Sequence, residues 1–372
     1  MVNSLGLIPI AIVFVGVFYG TVKNHGYRAL FGLFPLFCGS QDNWNFTFED
    51  LYDEQTKSNL KGQTALVTGA NSGIGYEVSL ALARNGVFVT MACRNEIKCL
   101  SAATQIRSDP QVIQNNQNNE SIIQILIMDT SSLASVKQAA EAYKEQRMIS
   151  LHHRSLDMLF LNAGVSFAPT GIMDESVTLT QDGVEVLFAT NVLGHHLLYK
   201  ILEPLLLASK TARVVLTSSS GSFITFRFKV ATTLEMLNNQ TNQRLFANYG
   251  HTKLAQIVWA KALTKRLSVS HPTNNMYINA AHPGAVNTNI WFKQPIPILY
   301  IDSLRSQFMW TPAEGALTIL YLAVATEALI NQNIRGKYFH PQSQEIVNPL
   351  ALDETLQEKF WDFCDELVKD FL

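Results

Sequence analysis

Eight residues constrain this chain more than any others. Thr68-Gly69-Ala70-Asn71-Ser72-Gly73-Ile74-Gly75 follows a short apolar run, Thr64–Thr68, and precedes a helical stretch to Asn85. Glycines at a strand-to-helix turn permit a tight bend and let backbone approach a ligand closely. The start of the helix adds free N–H groups and the positive end of its dipole. Strand, glycine turn and helix in this order form a cradle for a dinucleotide pyrophosphate. The spacing is G-x-x-x-G-x-G, not the commoner G-x-G-x-x-G. Gly69, Asn71, Ser72, Gly73, Ile74 and Gly75 are the candidate contacts.

The pattern then repeats. Val87–Met91, Ser121–Met128, Asp157–Leu161, Arg213–Thr217, Met276–Ala281 and Gly336–Phe339 are further strand candidates. Helical stretches separate them: from Glu96, from Ser132, over Asp182–Leu207, over Asn248–Leu267 and over Pro312–Ala325. Such alternation builds right-handed βαβ units around a mainly parallel sheet covered on both faces. The expected fold is a single α/β domain of the doubly wound, Rossmann kind. Two polar segments, Gln105–Gln124 and Phe226–Asn248, read as insertions.

The second strand runs into Met91-Ala92-Cys93-Arg94-Asn95. A carboxylate there would accept from a ribose 2′-hydroxyl and favour NAD(H). Arg94 stands instead and can pair with a 2′-phosphate, so the expected cofactor is NADP(H), with NAD(H) the second choice.

Tyr249 and Lys253 are four residues apart and share one helix face. A phenol titrates near 10, so acid–base work near pH 7 needs help of about 3–4 kcal/mol. A neighbouring ammonium and an oxidised nicotinamide ring can supply it. The pair gains weight from its company. Asn162-Ala163-Gly164 follows the fourth strand, and Asn191 lies in the long helix. Thr217-Ser218-Ser219-Ser220-Gly221 follows the fifth strand, and Pro283-Gly284-Ala285-Val286-Asn287-Thr288 the sixth.

In this order the motifs resemble the short-chain dehydrogenase/reductase family over roughly Leu60 to Pro341. TQDGVEVLFATNVLGHHLL, HPGAVNT and TPAEGALTILYLA are similar to its retinol-dehydrogenase-like, WW-domain-containing-oxidoreductase-like branch, although no WW domain is visible. The resemblance implies a seven-stranded sheet in the order 3-2-1-4-5-6-7. It implies Tyr249 as general acid/base, Lys253 lowering the Tyr249 pKa and bonding the nicotinamide ribose, and Ser219 holding the substrate oxygen, with Ser218 and Ser220 as rivals for that role. Asn191 would sustain a proton-relay water beside Lys253. Asp129 would contact the adenine. Asn162, Ala163 and Gly164 would line the cofactor with Pro283 and Gly284, and Val286 and Thr288 would hold the carboxamide. His195 and His196 read as packing, and no metal cluster is expected.

The ends carry other information. Leu5–Val22 is an almost unbroken apolar run with Lys23 and Arg28 after it. Its length is just enough to span a bilayer, and the basic flank would keep the rest of the chain on the cytosolic side. Expected segments are an anchor over 1–38, a connector over 39–60, the Rossmann domain over 61–345 and a C-terminal helix packed on it over 346–372. The expected location is a membrane, of the endoplasmic reticulum or a lipid droplet. The apolar Trp291-Phe292 and Pro295–Ile301 would cover the site and, with an anchor, suggest a lipophilic substrate such as a retinoid, sterol or long-chain aldehyde or ketone. A homodimer is left open.

Charge is balanced, with 28 Lys+Arg against 30 Asp+Glu, which argues against a nucleic-acid partner. Cys38, Cys93, Cys99 and Cys364 are too sparse for a disulfide scaffold and are expected to be reduced thiols. The expected activity is carbonyl–alcohol interconversion. Its rivals are a membrane-anchored scaffold that binds dinucleotide without turnover, and an NAD-dependent steroid or alcohol dehydrogenase.

Overall fold

The computed structural model describes residues 46–115, 122–149, 154–166, 178–223, 230–239, 247–290 and 309–372. The expected anchor, the start of the connector, the covering segments at 291–292 and 295–301 and parts of both insertions lie outside these residues. Among the described residues no helix is long and apolar enough to cross a membrane.

Eight strands form one sheet: β1 (Thr64–Thr68), β2 (Phe88–Cys93), β3 (Ile123–Ile127), β4 (Met158–Leu161), β5 (Ala212–Thr217), β6 (Met276–Ala281), β7 (Lys337–His340) and β8 (Gln344–Glu345). Their order is 3-2-1-4-5-6-7-8. The first seven are parallel, in the expected order. Every residue of β1, β4, β5 and β6 is buried, which explains their near-continuous apolar runs. The expectation of seven strands is corrected by β8. After β7, Gln342 and Ser343 adopt positive φ (63° and 58°) and reverse the chain. β8 then pairs antiparallel with β7 through Phe339–Glu345 and His340–Gln344. Two polar residues offer no apolar run by which a strand could be seen in sequence.

Helices α1 (Gly73–Arg84), α2 (Glu96–Arg107), α3 (Leu133–Ile149), α4 (Gly194–Leu207), α5 (Ala247–Ser270), α6 (Pro312–Val324) and α7 (Glu354–Val368) cover the sheet. One core gathers α3, α4, α5 and α7; the other gathers α1, α2 and α6. The single helix expected over Asp182–Leu207 is broken. A short turn, Val186–Phe188, leads into a π-helical turn, Ala189–Leu193, before α4 begins. At Gly194 a Cβ would lie 2.1 Å from the Thr130 carbonyl oxygen, so the helix presses directly on backbone there. The buried Glu185 carboxylate caps the first turn through Leu187 N and Phe188 N, and burial pushes its pKa up.

Helix α7 docks through aromatic rings and one carboxylate. Trp361 packs on Trp259, Tyr199 and His196. Trp259 Nε1 donates to His196 Nδ1, so His196 Nε2 carries the proton it gives to Asp365 Oδ1 at 2.9 Å. Trp361 Nε1 donates to Asp365 Oδ2, and Lys200 Nζ lies 3.1 Å from Oδ1. Burial alone would raise the Asp365 pKa, but its hydrogen bond from His196 and its ammonium neighbour win, holding it at about 2. His196 is therefore not packing alone.

The cysteine expectation is also corrected. Cys93, ending β2, and Cys99, in the first turns of α2, form a disulfide with Cα atoms 6.0 Å apart. The strand end, the turn and the helix start fold back on themselves, a proximity that the linear spacing hides. Cys364 is a buried free thiol.

Candidate active site

The candidate residues gather at the carboxyl ends of β1, β4, β5 and β6. β1 pairs with β2 on one side and β4 on the other, so the chain changes direction across the sheet there. That crevice is where open α/β sheets hold ligands.

The glycine turn is built for close approach. Gly69 and Gly73 have positive φ (68° and 56°). A Cβ on Gly75 would lie 2.5 Å from Gly69 O and 2.6 Å from Asn162 Nδ2, so only glycine fits. Ser72 precedes α1 but makes no side-chain cap, and no acid stands in the first turn. The first N–H groups of α1 therefore meet neither a cap from Ser72 nor an acid from their own turn. Ser72 is exposed, and Asn71 and Ile74 are half-buried. Thr288 closes the turn from the β6 side, its Cγ2 3.1 Å from where a Gly73 Cβ would stand.

Thr68 ties the strands together. Its Oγ1 accepts from Asn162 N and Ala163 N, both at 2.9 Å. Asn162 Nδ2 donates to Thr68 O, and Thr217 Oγ1 donates to Asn162 Oδ1. Gly164 lies beside Asn191 Oδ1 and Lys253 Nζ. Beyond β6, Gly284 has φ 93° and follows the buried Pro283. Val286 is buried, bridges to Trp310 and packs on Gly315.

At the other end of the crevice Arg94 is 70% exposed, and its Nη1 lies 3.8 Å from Asp129 Oδ2. The Asp129 side chain also accepts from Ser131 N and Oγ through Oδ1. A cationic side chain, a cradle of N–H groups and a turn that admits no Cβ together fit a dinucleotide.

Ser219, Tyr249 and Lys253 come together from two elements. Ser219 follows the end of β5, and Tyr249 lies half-buried in the first turn of α5. The three serines separate by their partners. Ser218 Oγ is buried and donates to Lys253 O. Ser220 opens a 3₁₀ turn, Ser220–Phe223. Ser219 Oγ accepts from Gly221 N at 3.1 Å and hydrogen-bonds the Tyr249 hydroxyl. Lys253 Nζ sits 5.4 Å from the centre of the Tyr249 ring. It donates to Thr217 O at 2.6 Å and to Gln256 Oε1 at 3.2 Å.

The electrostatics depart from the expectation. Burial pushes the Tyr249 phenol up to about 12, and the hydrogen bond to Ser219 opposes it. Burial brings the Lys253 ammonium down to about 7. The ammonium lies over the ring and gives two of its three N–H donors to a carbonyl and an amide. The charge state of Lys253 becomes the sensitive quantity near pH 7.

Asn191 sits in the π turn, fully buried. Its Nδ2 donates to Val165 O and Thr252 Oγ1, and its Oδ1 accepts from Val165 N. Its carbonyl receives Gln256 Nε2 at 2.9 Å and faces His195 Nδ1 at 3.2 Å. Burial lowers His195 to about 3, so the ring is neutral. Nδ1 faces a carbonyl and must hold the proton, so Nε2 accepts from Thr68 Oγ1 at 2.9 Å. His195 thus joins the glycine turn to Asn191, beyond the packing expected of it. Gln256 and Thr252 also went unseen in the sequence. Their only signal is their place on the α5 face that carries Lys253.

Comparisons with known proteins show the family. A family model described as short chain dehydrogenase matches residues 63–231. The chain is 31% identical over 314 residues to "Retinol dehydrogenase 14" of Mus musculus, covering 83% of this chain and 86% of that one. It is 29% identical over 341 residues to "WW domain-containing oxidoreductase" of Danio rerio, covering 87% and 76%. Among solved structures, 3-ketoacyl-(acyl-carrier-protein) reductase from Brucella melitensis, complexed with NADH, superposes with a TM-score of 0.54 at 21% identity, covering 76% and 97%. The chain belongs to the short-chain dehydrogenase/reductase family of oxidoreductases, in its retinol-dehydrogenase-like branch.

Proposed function

We propose that the chain is an NADP(H)-dependent oxidoreductase that interconverts a carbonyl and an alcohol on a lipophilic substrate, with Tyr249 as acid/base. The observation that carries this reading is the meeting of Ser219 and Lys253 at Tyr249, beside a turn that admits no Cβ. The first turn of α1, with Gly69, Asn71, Ser72, Gly73, Ile74 and Gly75, holds the pyrophosphate. Arg94 pairs with a 2′-phosphate, and Asp129 borders the adenine. Asn162, Ala163, Gly164, Pro283, Gly284, Val286 and Thr288 line the nicotinamide end. A bound dinucleotide would supply or take the hydride and, when oxidised, would carry a positive charge on its nicotinamide.

In the reducing direction Ser219 Oγ–H and the Tyr249 hydroxyl donate to the substrate carbonyl oxygen. Tyr249 gives up its proton as charge develops there. Lys253, when charged, stabilises the resulting phenolate. Asn191 holds the backbone of Val165 on one side and Thr252 of α5 on the other, which fixes the wall behind Lys253. The apolar 1–22 segment supports membrane attachment with the catalytic domain on the cytosolic side, and with it a lipophilic substrate. Arg94, in a place where an acid would favour NAD(H), supports NADP(H).

The test is dinucleotide binding by the full chain, NADPH against NADH, then turnover of retinal, ketosteroids and long-chain aldehydes. Preference for NADPH with turnover that depends on Tyr249 supports the reading. Binding without turnover across the panel favours the non-catalytic scaffold.

A further inference from the structure

We propose that Gln256 is a positioning residue for the acid–base machinery, its amide bridging the Lys253 ammonium to the main-chain carbonyl of Asn191. The proposal rests on the oxidoreductase reading and adds to it a residue that the motif pattern leaves out.

The bridge follows from four contacts. Gln256 is 1% exposed and stands one helical turn after Lys253 on α5. Its Oε1 lies 3.2 Å from Lys253 Nζ, and its Nε2 lies 2.9 Å from Asn191 O. The amide orientation is dictated by its partners. An ammonium can only donate and a carbonyl can only accept, so the oxygen faces Lys253 and the NH₂ faces Asn191. The far end of the bridge is itself anchored, because Asn191 sits in the π turn and is held by Val165 and Thr252.

The bridge occupies the path between Asn191 and Lys253 on which a relay water was expected. An amide holds a fixed donor–acceptor direction and does not pass a proton along as water does. Its contribution is therefore to fix where the ammonium stands and how readily it stays charged. The titratable groups facing Lys253 are Tyr249, His195 and His282. Both imidazoles are neutral near pH 7, each lowered to about 3 by burial, and the phenol is uncharged. With these neighbours, the Gln256 amide and the Thr217 carbonyl are the acceptors that keep a buried ammonium protonated.

The test reads that charge. NADPH binding by the full chain is titrated by fluorescence from about pH 5.5 to 9, for the native chain, Gln256→Met and Gln256→Glu. Methionine keeps the volume and removes the acceptor, so the binding midpoint is expected to fall by about one pH unit. Glutamate sets a carboxylate against the ammonium, so the midpoint is expected to rise by about one pH unit. A purely structural role would lower stability without moving the midpoints in opposite directions. Midpoints that stay at the native value, or move together, overturn the proposal while dinucleotide binding stands. A native chain that binds no dinucleotide overturns the oxidoreductase reading and this proposal with it. Should Gln256→Met fail to fold, the direction of the Gln256→Glu shift decides alone.

Discussion

Ser219 Oγ and the Tyr249 ring both lie against Gly221, at 3.4 and 3.5 Å from the position its Cβ would take. They meet although a long insertion separates them in the chain. Ser218 Oγ instead donates to the main-chain carbonyl of Lys253. The two serines are expected to fail differently. Ser219→Ala should lower kcat by roughly 10²-fold, the scale of losing one donor to a developing oxyanion. Ser218→Ala should leave kcat within a few-fold and cost about 1 kcal/mol of stability. Steady-state kinetics and denaturant unfolding on the two variants separate these outcomes.

Arg94 sets the cofactor preference by charge. Its guanidinium is exposed and only loosely engaged by Asp129. Arg94→Asp should weaken NADPH binding by roughly 10- to 100-fold, the worth of a charge-assisted hydrogen bond. NADH binding should hold or improve. Unchanged preference would favour an NAD-dependent dehydrogenase.

Helix α7 is held by Asp365. Asp365→Ala removes the acceptor of His196 Nε2–H and of the Trp361 indole, and it leaves Lys200 without that carboxylate. His196 is fully buried, so its N–H cannot turn to water. A cost on the order of 3 kcal/mol is expected, seen as a lowered melting temperature. Asp365→Asn keeps an acceptor and should lose less.

Acid should destabilise the fold before the carboxylates titrate. His195 and His282 are held at about 3 by burial, against an ordinary 6.5, and burial also holds His340 well below 6.5. In this case the unfolded chain takes up protons that the folded chain refuses. The contribution of these rings is therefore constant above about pH 7 and is lost as pH drops below 6.5, on top of the separate rise with pH between 7 and 10.5 that the lowered Lys253 adds. At pH 5 the loss is on the order of 2 kcal/mol for each ring. Asp365, held at about 2, adds its own loss only below about pH 4. Denaturant melts at pH 8, 6.5 and 5 measure the slope.

The parallel sheet was legible in sequence because buried strands are written as apolar runs, as in Thr64–Thr68 and Met276–Ala281. The glycine turn and Tyr249–Lys253 were legible because their chemistry needs residue types at set spacings. β8 was not, because two polar residues after a positive-φ reversal carry no pattern. The π turn was not; it leads into Gly194, which packs on Thr130 backbone, a contact between distant segments. The Cys93–Cys99 bond was hidden by a turn that brings i and i+6 together. His195 reads as packing in the sequence, and Gln256 belongs to no motif there. Their hydrogen bonds to Thr68 and to Asn191 and Lys253 exist only once β1, the π turn and α5 are assembled.

The central claim is that Tyr249 delivers the proton in a carbonyl–alcohol interconversion. The most direct measurement is NADPH oxidation by the full chain with a panel of lipophilic aldehydes and ketones, native against Tyr249→Phe. Turnover that falls by roughly 10²- to 10⁴-fold in Tyr249→Phe, with NADPH affinity retained, is the expected result. Turnover that survives in Tyr249→Phe at the native rate would contradict it.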